Sequence, residues 1–223
     1  MTTGSSYATQ NGKPVIAIYG FGVEGRPGTP QQALDTVNYL KDQGLYVMLV
    51  SRIQWQTFNA SWTPVWEAAN AMGPWTVGAY SDISEASSYQ STLQSDFEWC
   101  KENNIDYVPV IFAGAANHNS DASSPENNIP RLEGTFMWQQ YVNLRQLGIG
   151  NVFIAMFDEW DEGTAIAKAA TNSTMIPTNH YFLTLNADGV ELSSDFYLRV
   201  ASDGGQMVKG ETALQTTCPT PYQ

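Results

Sequence analysis

Asp158, Glu159, Asp161 and Glu162 place four carboxylates within five positions of the stretch FIAMFDEWDEGTAIAK, residues 153–168. They follow directly on Phe153–Phe157, a mostly apolar run that reads as the end of a buried strand. Like charges at this density raise one another's pKa and cost stability, so such a cluster implies a cation or a reaction to serve. Glu159 and Glu162 stand at i and i+3, and if the turn is helical their Cβ atoms share one face at a separation of about 5–6 Å. Two carboxyl groups that interact do not ionise independently. One stays protonated as an acid while its neighbour acts as base or nucleophile, which is what cleavage of a glycosidic bond requires. Gly163 allows a tight turn behind the pair, and Trp160 is placed to form a wall of a sugar site.

Three other readings of the cluster stay open at this level. Asp158, Asp161 and Glu162 are a conceivable calcium set, although the D-x-D-x-D-G spacing of an EF-hand is absent. A helix N-terminus favours acidic residues electrostatically, and Asp158 or Asp161 fits that role. Plain surface acidity is the third, and it explains poorly why the acids follow FIAMF without a break.

The elements that would hold this turn repeat a strand-then-helix unit. KPVIAIYGF (13–21) is β-rich, and TPQQALDTVNYLKDQG (29–44) offers Thr29 as N-cap, Pro30 at the first helical position and Gly44 past the last turn, with Ala33, Val37 and Leu40 at helical spacing. Further strands are expected at 45–51, 74–81, 105–114 and 151–159, and further helices at 63–73, 84–104 and 135–148. Strands apolar on both faces and separated by helices form a parallel sheet covered on both sides. An open doubly wound sheet and a (β/α)8 barrel both fit that pattern, and both place their sites after the strand C-termini. No GxGxxG or Walker A pattern follows a strand, which favours the barrel. Five strands of this kind make an α/β partial barrel of the TIM type, its C-terminal strands, beginning near the fourth. HYFLTLNADGVELSSDFYLRV (180–200), with its Asn-Ala-Asp-Gly turn, reads as a small C-terminal β hairpin or a last barrel segment. The expected division is a disordered segment 1–12, a catalytic domain 13–200 and a tail 201–223.

Composition narrows the ligand. A net charge of −12 argues against nucleic acid and anionic membranes as partners, and no apolar run is long enough to span a bilayer. Seven Trp and eleven Tyr, many beside Gly, Pro or Asn, suit sugar rings, whose apolar faces stack on aromatic planes. Trp55 and Arg52 follow the second strand and are placed to stack on and hydrogen-bond a sugar, with packing of Trp55 under its loop as the alternative. Tyr80 and Asp82 follow the third, where a phenol beside a carboxylate suits hydroxyl recognition. Asn119 lies with Asn117 and His118 in the loop after the fourth, His118 reading as a surface residue. Arg131 and Trp138 flank the next helix start, each with a structural alternative. Together with Asp158 and Trp160, the residues Trp55, Arg52, Tyr80, Asp82, Asn119 and Arg131 form the candidate substrate-binding set. His180 has no evident partner, and neither a Ser-His-Asp arrangement, a resident metal nor a cofactor is assigned. Pairing of Cys100 with Cys218 is open. Asn59-Ala-Ser61 and Asn172-Ser-Thr174 are glycosylation sequons, and no signal peptide is visible at the N-terminus.

MFDEWDEGTAI resembles the signature of glycoside hydrolase families 99 and 71, in which a strand ends in Phe-x-Glu-Trp-x-Glu-Gly-Thr. GKPVIAIYGFG, RPGTPQQALDTVNYLKDQGLYV, PWTVGAYSD, IDYVPVIFAG and SDFYLRV are similar to bacterial and fungal relatives loosely described as xylosidase- or arabinosidase-like. The resemblance spans roughly residues 12–200, without an N-terminal part of the family pattern. It implies a (β/α)8 retaining endo-α-mannosidase type of chemistry. There the first Glu of the motif, here Glu159, takes the proton of the substrate 2-hydroxyl to give a 1,2-anhydro sugar. The second, here Glu162, acts as general acid and then base. Asp158 stands where family 99 usually has Asn, so the reaction class carries over and the sugar does not. The resemblance also implies a carbohydrate substrate and an extracellular or cell-surface location. A non-catalytic glycan-binding or structural fragment of such a barrel is the rival reading, a calcium-stabilised binding module a third, and exposed strand edges would favour self-association.

Overall fold

A computed structural model of the chain describes Gly4 and residues 6–223, which divide into two compact units: the chain up to Trp75 with Ser95–Pro109, and Thr76–Gln94 with Val110–Gln223. In the first unit, β1 (Thr9–Gln10), β2 (Lys13–Tyr19), β3 (Tyr46–Val50), β4 (Ala71–Met72) and β5 (Asp106–Tyr107) form one sheet in sequence order. β2 to β5 are parallel and β1 pairs antiparallel with the start of β2. The register Val15↔Tyr46 and Ala17↔Met48 puts Val15, Tyr46, Met48, Val50 and Ala71 into one apolar cluster with Trp75 and Val108. β3 is buried at every position, as a central parallel strand must be.

Local chemistry accounts for the first helix, α1 (Pro30–Asp42), which packs on β3 and on α3 (Thr63–Ala68). Gln32 N donates to Thr29 Oγ1 at 3.3 Å and Thr29 N donates to Gln32 Oε1 at 2.9 Å, a closed capping box with Pro30 behind it. Ala33 and Val37 are buried, and Gly44 takes the left-handed conformation at φ +82° that ends the helix. Between β3 and α3 lies the short helix α2 (Trp55–Phe58).

The first unit also buries a carboxyl group, Asp96 on α5 (Gln90–Glu102), at 4% exposure. Gln56 Nε2 donates to it at 2.6 Å. Burial pushes the Asp96 carboxyl up to about 6, and the hydrogen bond from Gln56 pulls the other way. A folded-state pKa above the unfolded one means that the native state binds the proton more tightly. The resulting stabilisation is complete below the unfolded value, near 4, and is lost as pH rises through about 6. Between pH 4.5 and 7 the loss amounts to about 2 kcal/mol. Asp96→Asn is therefore expected to gain about that much relative to the parent over this range, read from denaturant or thermal melts at both pH values. Parallel pH dependences in parent and variant would rule out Asp96 as the source. Cys100, one turn further along α5, is fully buried, and both Cys100 and Cys218 are free thiols.

In the second unit β6 (Val110–Phe112) and β7 (Phe153–Ala155) pair in parallel, with Phe112 opposite Ala155. α6 (Thr135–Leu147) packs against α4 (Ile83–Ser88) and α7 (Phe196–Lys209). Gln140 on α6, 2% exposed, has every polar atom engaged. Its Oε1 accepts from Phe112 N and from Tyr80 Oη, each at 3.0 Å, and its Nε2 donates to the carbonyls of Phe112 and Phe136. The buried amide thus gives β6 the hydrogen bonds a neighbouring strand would supply.

Several boundaries differ from the sequence reading. The third strand is Ala71–Met72, and 74–81 is loop, because Pro74 lacks an N–H to continue the ladder. The expected fourth strand is two short ones, β5 and β6, flanking Val108–Pro109, and the expected helix over 84–104 is α4 followed by α5. Of the segment 1–12, expected to lack structure, Met1–Thr3 and Ser5 lie outside the described residues, whereas Thr9–Gln10 pair with Lys13 and Pro14. The expected hairpin at 180–200 is absent: the chain runs through turns into α7, which continues past residue 200 into the presumed tail. The remaining tail is tied down by Trp138 Nε1 donating to Gln215 O and Thr220 Oγ1 donating to Asp203 Oδ2.

Candidate active site

β7 ends at Ala155, so all four acids lie beyond the strand rather than at its last positions. They form the tip of a closed loop. Ile166 N donates to Met156 O at 3.0 Å and Ala167 N to Phe157 O at 2.8 Å, so the chain returns along itself on either side of the tip. Inside it, the carbonyl of Glu159 accepts from the amides of Thr164 and Ala165, both at 3.2 Å, and Gly163 N donates to Trp160 O at 3.1 Å. The tip is a tight turn rather than the helical turn that the i, i+3 spacing suggested.

Two carbonyls anchor the turn from beneath. Ala116 N, in the loop after β6, donates to Glu162 O at 2.7 Å. Arg131 donates to Gly163 O through Nε at 3.1 Å and again through Nη2. Arg131 is 5% exposed, lies over the Tyr197 ring at 4.7 Å, and its Nη1 has no hydrogen-bond partner among the described residues. Burial lowers the pKa of its guanidinium, with Tyr197 and Asp188 acting in the opposite direction. A buried guanidinium that directs two donors to one backbone carbonyl fixes that carbonyl's place. Leu132 and Glu133 follow Arg131 at φ +48° and +49°, and Leu132 N donates to Asp188 Oδ2 at 2.8 Å, which holds the strained pair. The backbone next to Glu162 is thus fixed by buried groups.

The side chains of the tip divide into two kinds. Asp161 Oδ1 accepts from Asn119 Nδ2 at 2.9 Å and from His180 Nε2 at 2.9 Å. A carboxylate only accepts, so His180 carries its proton on Nε2 in this contact. Asn119 Nδ2 also donates to the carbonyl of Tyr181 at 2.9 Å, which closes a triangle among three loops. Asp158, Glu159, Trp160 and Glu162 are exposed, and among the described residues no hydrogen bond or ion pair engages the carboxylates of Asp158, Glu159 or Glu162. Trp160, 43% exposed, lies between the two glutamates in the chain. The turn thus offers three unengaged carboxyl groups, Asp158, Glu159 and Glu162, and a partly exposed aromatic ring.

The remaining candidates are spread more widely. Asn119 and Arg131 do meet the acidic turn, but as supports: the asparagine amide and the guanidinium are committed to protein acceptors. Tyr80 is buried in an aromatic cluster with Phe112 and Phe136, and Asp82 caps α4 by accepting from Glu85 N at 2.8 Å. Neither presents its polar atom as a free sugar contact. Trp55, 1% exposed, packs edge-on against Trp66 and Trp99, the packing alternative rather than a stacking platform. The Arg52 guanidinium lies over the Phe58 ring at 3.8 Å and its Nε donates to Ile53 O. His118, half-buried, donates from Nδ1 to Ser124 O at 2.8 Å, a structural role. The sequence reading missed His180 as a partner of Asp161, since nothing in the spacing of residues 161 and 180 signals the contact. Among the described residues no three His, Cys, Asp or Glu side chains group as a metal-binding set. Nor, among the described residues, is any helix long and apolar enough to cross a membrane.

Strands and helices in this order define an α/β fold of the partial (β/α)-barrel type, and solved glycoside hydrolases share that fold. Two structures of a GH99 endo-α-mannosidase from Bacteroides thetaiotaomicron, one in complex with bis-tris-propane, align over 92% of this chain with a TM-score of 0.67 at 14% and 16% identity. A glycoside hydrolase-like protein aligns over 90% with a TM-score of 0.59 at 15% identity. The chain spans 60%, 57% and 56% of the length of those three chains. No protein-family model and no curated protein matches the sequence.

Proposed function

We propose that this protein is a glycosidase that cleaves α-linked oligo- or polysaccharides outside the cell, with Glu159 and Glu162 as its reacting carboxyl groups. The observation that carries the reading is the pair of exposed, unengaged glutamates on a turn whose backbone is pinned by Ala116 N and by buried Arg131. A carboxyl group held by its backbone and left free at its head is available for proton transfer. In the proposed reaction, Glu162 as a neutral acid gives its proton to the glycosidic oxygen as the bond to the anomeric carbon breaks. Glu159 as carboxylate takes the proton of the 2-hydroxyl, whose oxygen closes on the anomeric carbon. Water then opens the anhydro ring, its proton passing to Glu162 and the proton on Glu159 returning to the 2-oxygen. Trp160 supplies an apolar wall for a sugar face. The shared fold with glycoside hydrolases supports this class of reaction.

The test is release of reducing ends by the parent chain from α-mannans, α-glucans and β-xylan, with product size distinguishing internal from terminal cleavage. Release from an α-linked polymer is expected. Release from β-xylan alone would overturn the linkage, and retention of a glycan without any release would replace hydrolysis by binding.

A further inference from the structure

Of the acids in the turn, Asp161 alone has its side chain tied to other segments: Asn119 from the loop after β6, and His180 from the segment before residue 181. Asn119 is itself bonded to Tyr181 O, so the three segments are closed into one unit around the Asp161 carboxylate. The backbone carbonyl of Asp161 lies 3.2 Å from the same Asn119 nitrogen. Apart from the bonds within the loop itself, the tip is held through main-chain carbonyls, by Ala116 N and by Arg131.

We propose that Asp161 is a positioning residue: with Asn119 and His180 it forms a clasp that fixes the outer side of the turn and thereby aims Glu162. The proposal rests on the glycosidase reading of Glu162. Two physical consequences follow from the geometry. The rotation of the 161–162 peptide is restrained from both sides, so the neighbouring glutamate leaves the backbone in one direction. Two N–H donors, from Asn119 and His180, also converge on Asp161 Oδ1, so the side chain of Asp161 is restrained together with its backbone. The contact is half-exposed on both partners, at 49% and 52%, so its effect is local and adds little to global stability.

The experiment compares Asp161→Ala, Asp161→Asn, His180→Ala and His180→Gln with the parent in two readouts: hydrogen exchange of the peptide spanning 157–167, and kcat with KM on the best α-linked polymer. Asp161→Ala and His180→Ala are expected to speed exchange at Gly163 and Thr164 by about tenfold. They should lower kcat about 10- to 100-fold with KM within about threefold, while Tm changes by less than about 2 °C. Asp161→Asn keeps an acceptor and His180→Gln keeps a donor, and each should recover most of the lost protection and rate. Unchanged exchange in Asp161→Ala, or no recovery in either conservative variant, would overturn the clasp. The two hypotheses fail separately. If the parent cleaves nothing, the exchange data still decide the clasp, whereas activity that survives Glu162→Gln refutes the catalytic assignment whatever the exchange shows.

Discussion

Gly163→Ala is expected to destabilise the protein by about 2–4 kcal/mol and to lower Tm by roughly 5–15 °C. The residue sits at φ +64°, where an L side chain costs about 1–2 kcal/mol. A Cβ there would lie 2.7 Å from Ala116 Cβ, 3.1 Å from Ala116 N and 3.2 Å from Leu183 Cδ2. The first two contacts are with a residue that cannot swing aside, because Ala116 N is bonded to Glu162 O. Relief must therefore come from moving the turn, and a displacement near 1 Å at Glu162 is expected to cost about 10²-fold in rate. Gly189→Ala is the matched control: φ is +89° but nothing lies within 4 Å of the added Cβ. It should show only the conformational cost, about 1–2 kcal/mol, with activity unaffected. Equal melting shifts in the two variants would show that packing against Ala116 contributes nothing.

Glu162→Gln and Glu159→Gln are each expected to lower turnover by about 10²- to 10⁴-fold without unfolding the chain. Removing the acid that protonates the leaving oxygen costs about 10²–10⁴-fold, and removing the base at the 2-hydroxyl also removes the internal nucleophile. Both side chains are exposed and unengaged by protein donors, so an isosteric amide breaks no native hydrogen bond. Stability should stay within about 0.5 kcal/mol of the parent, as for surface substitutions in general. A substrate with a good leaving group should rescue the first step of Glu162→Gln and leave Glu159→Gln inactive, which separates the two roles. Asp158→Asn, at the remaining unengaged acid of the turn, distinguishes a reacting pair from a mere density of charge, since only the pair should lose at least about 10²-fold.

The parts of this fold that were legible in the sequence are those fixed by local chemistry. Thr29, Pro30 and Gly44 announce both ends of α1, and the apolar run of β3 announces a strand buried on both faces. The acidic turn was legible because an apolar strand, a charge cluster and Gly163 adjoin in the chain. What tertiary packing decides was not. Helix α7 contains Gly204 and Gly205, which weaken helix propensity, and the Asn-Ala-Asp-Gly turn before it imitates a hairpin. The helix forms because Phe196, Val200 and Met207 bury one face, and Gly204 is required where an added Cβ would meet the Tyr141 ring at 2.3 Å. Trp55 read equally well as platform or core, since its burial depends on Trp66 and Trp99 from distant segments. The clasp of Asp161, Asn119 and His180 likewise joins residues from three loops with no common spacing.

The central claim is that the unengaged glutamates of the turn break a glycosidic bond. Its most direct test is release of reducing ends from α-mannan by the parent and by Glu162→Gln side by side, at equal concentration and with melting curves of both. The account predicts steady release by the parent, a loss of about 10²- to 10⁴-fold in the variant, and coincident melts. Equal release by the two proteins would contradict it, because the acid at position 162 would then have no part in the reaction.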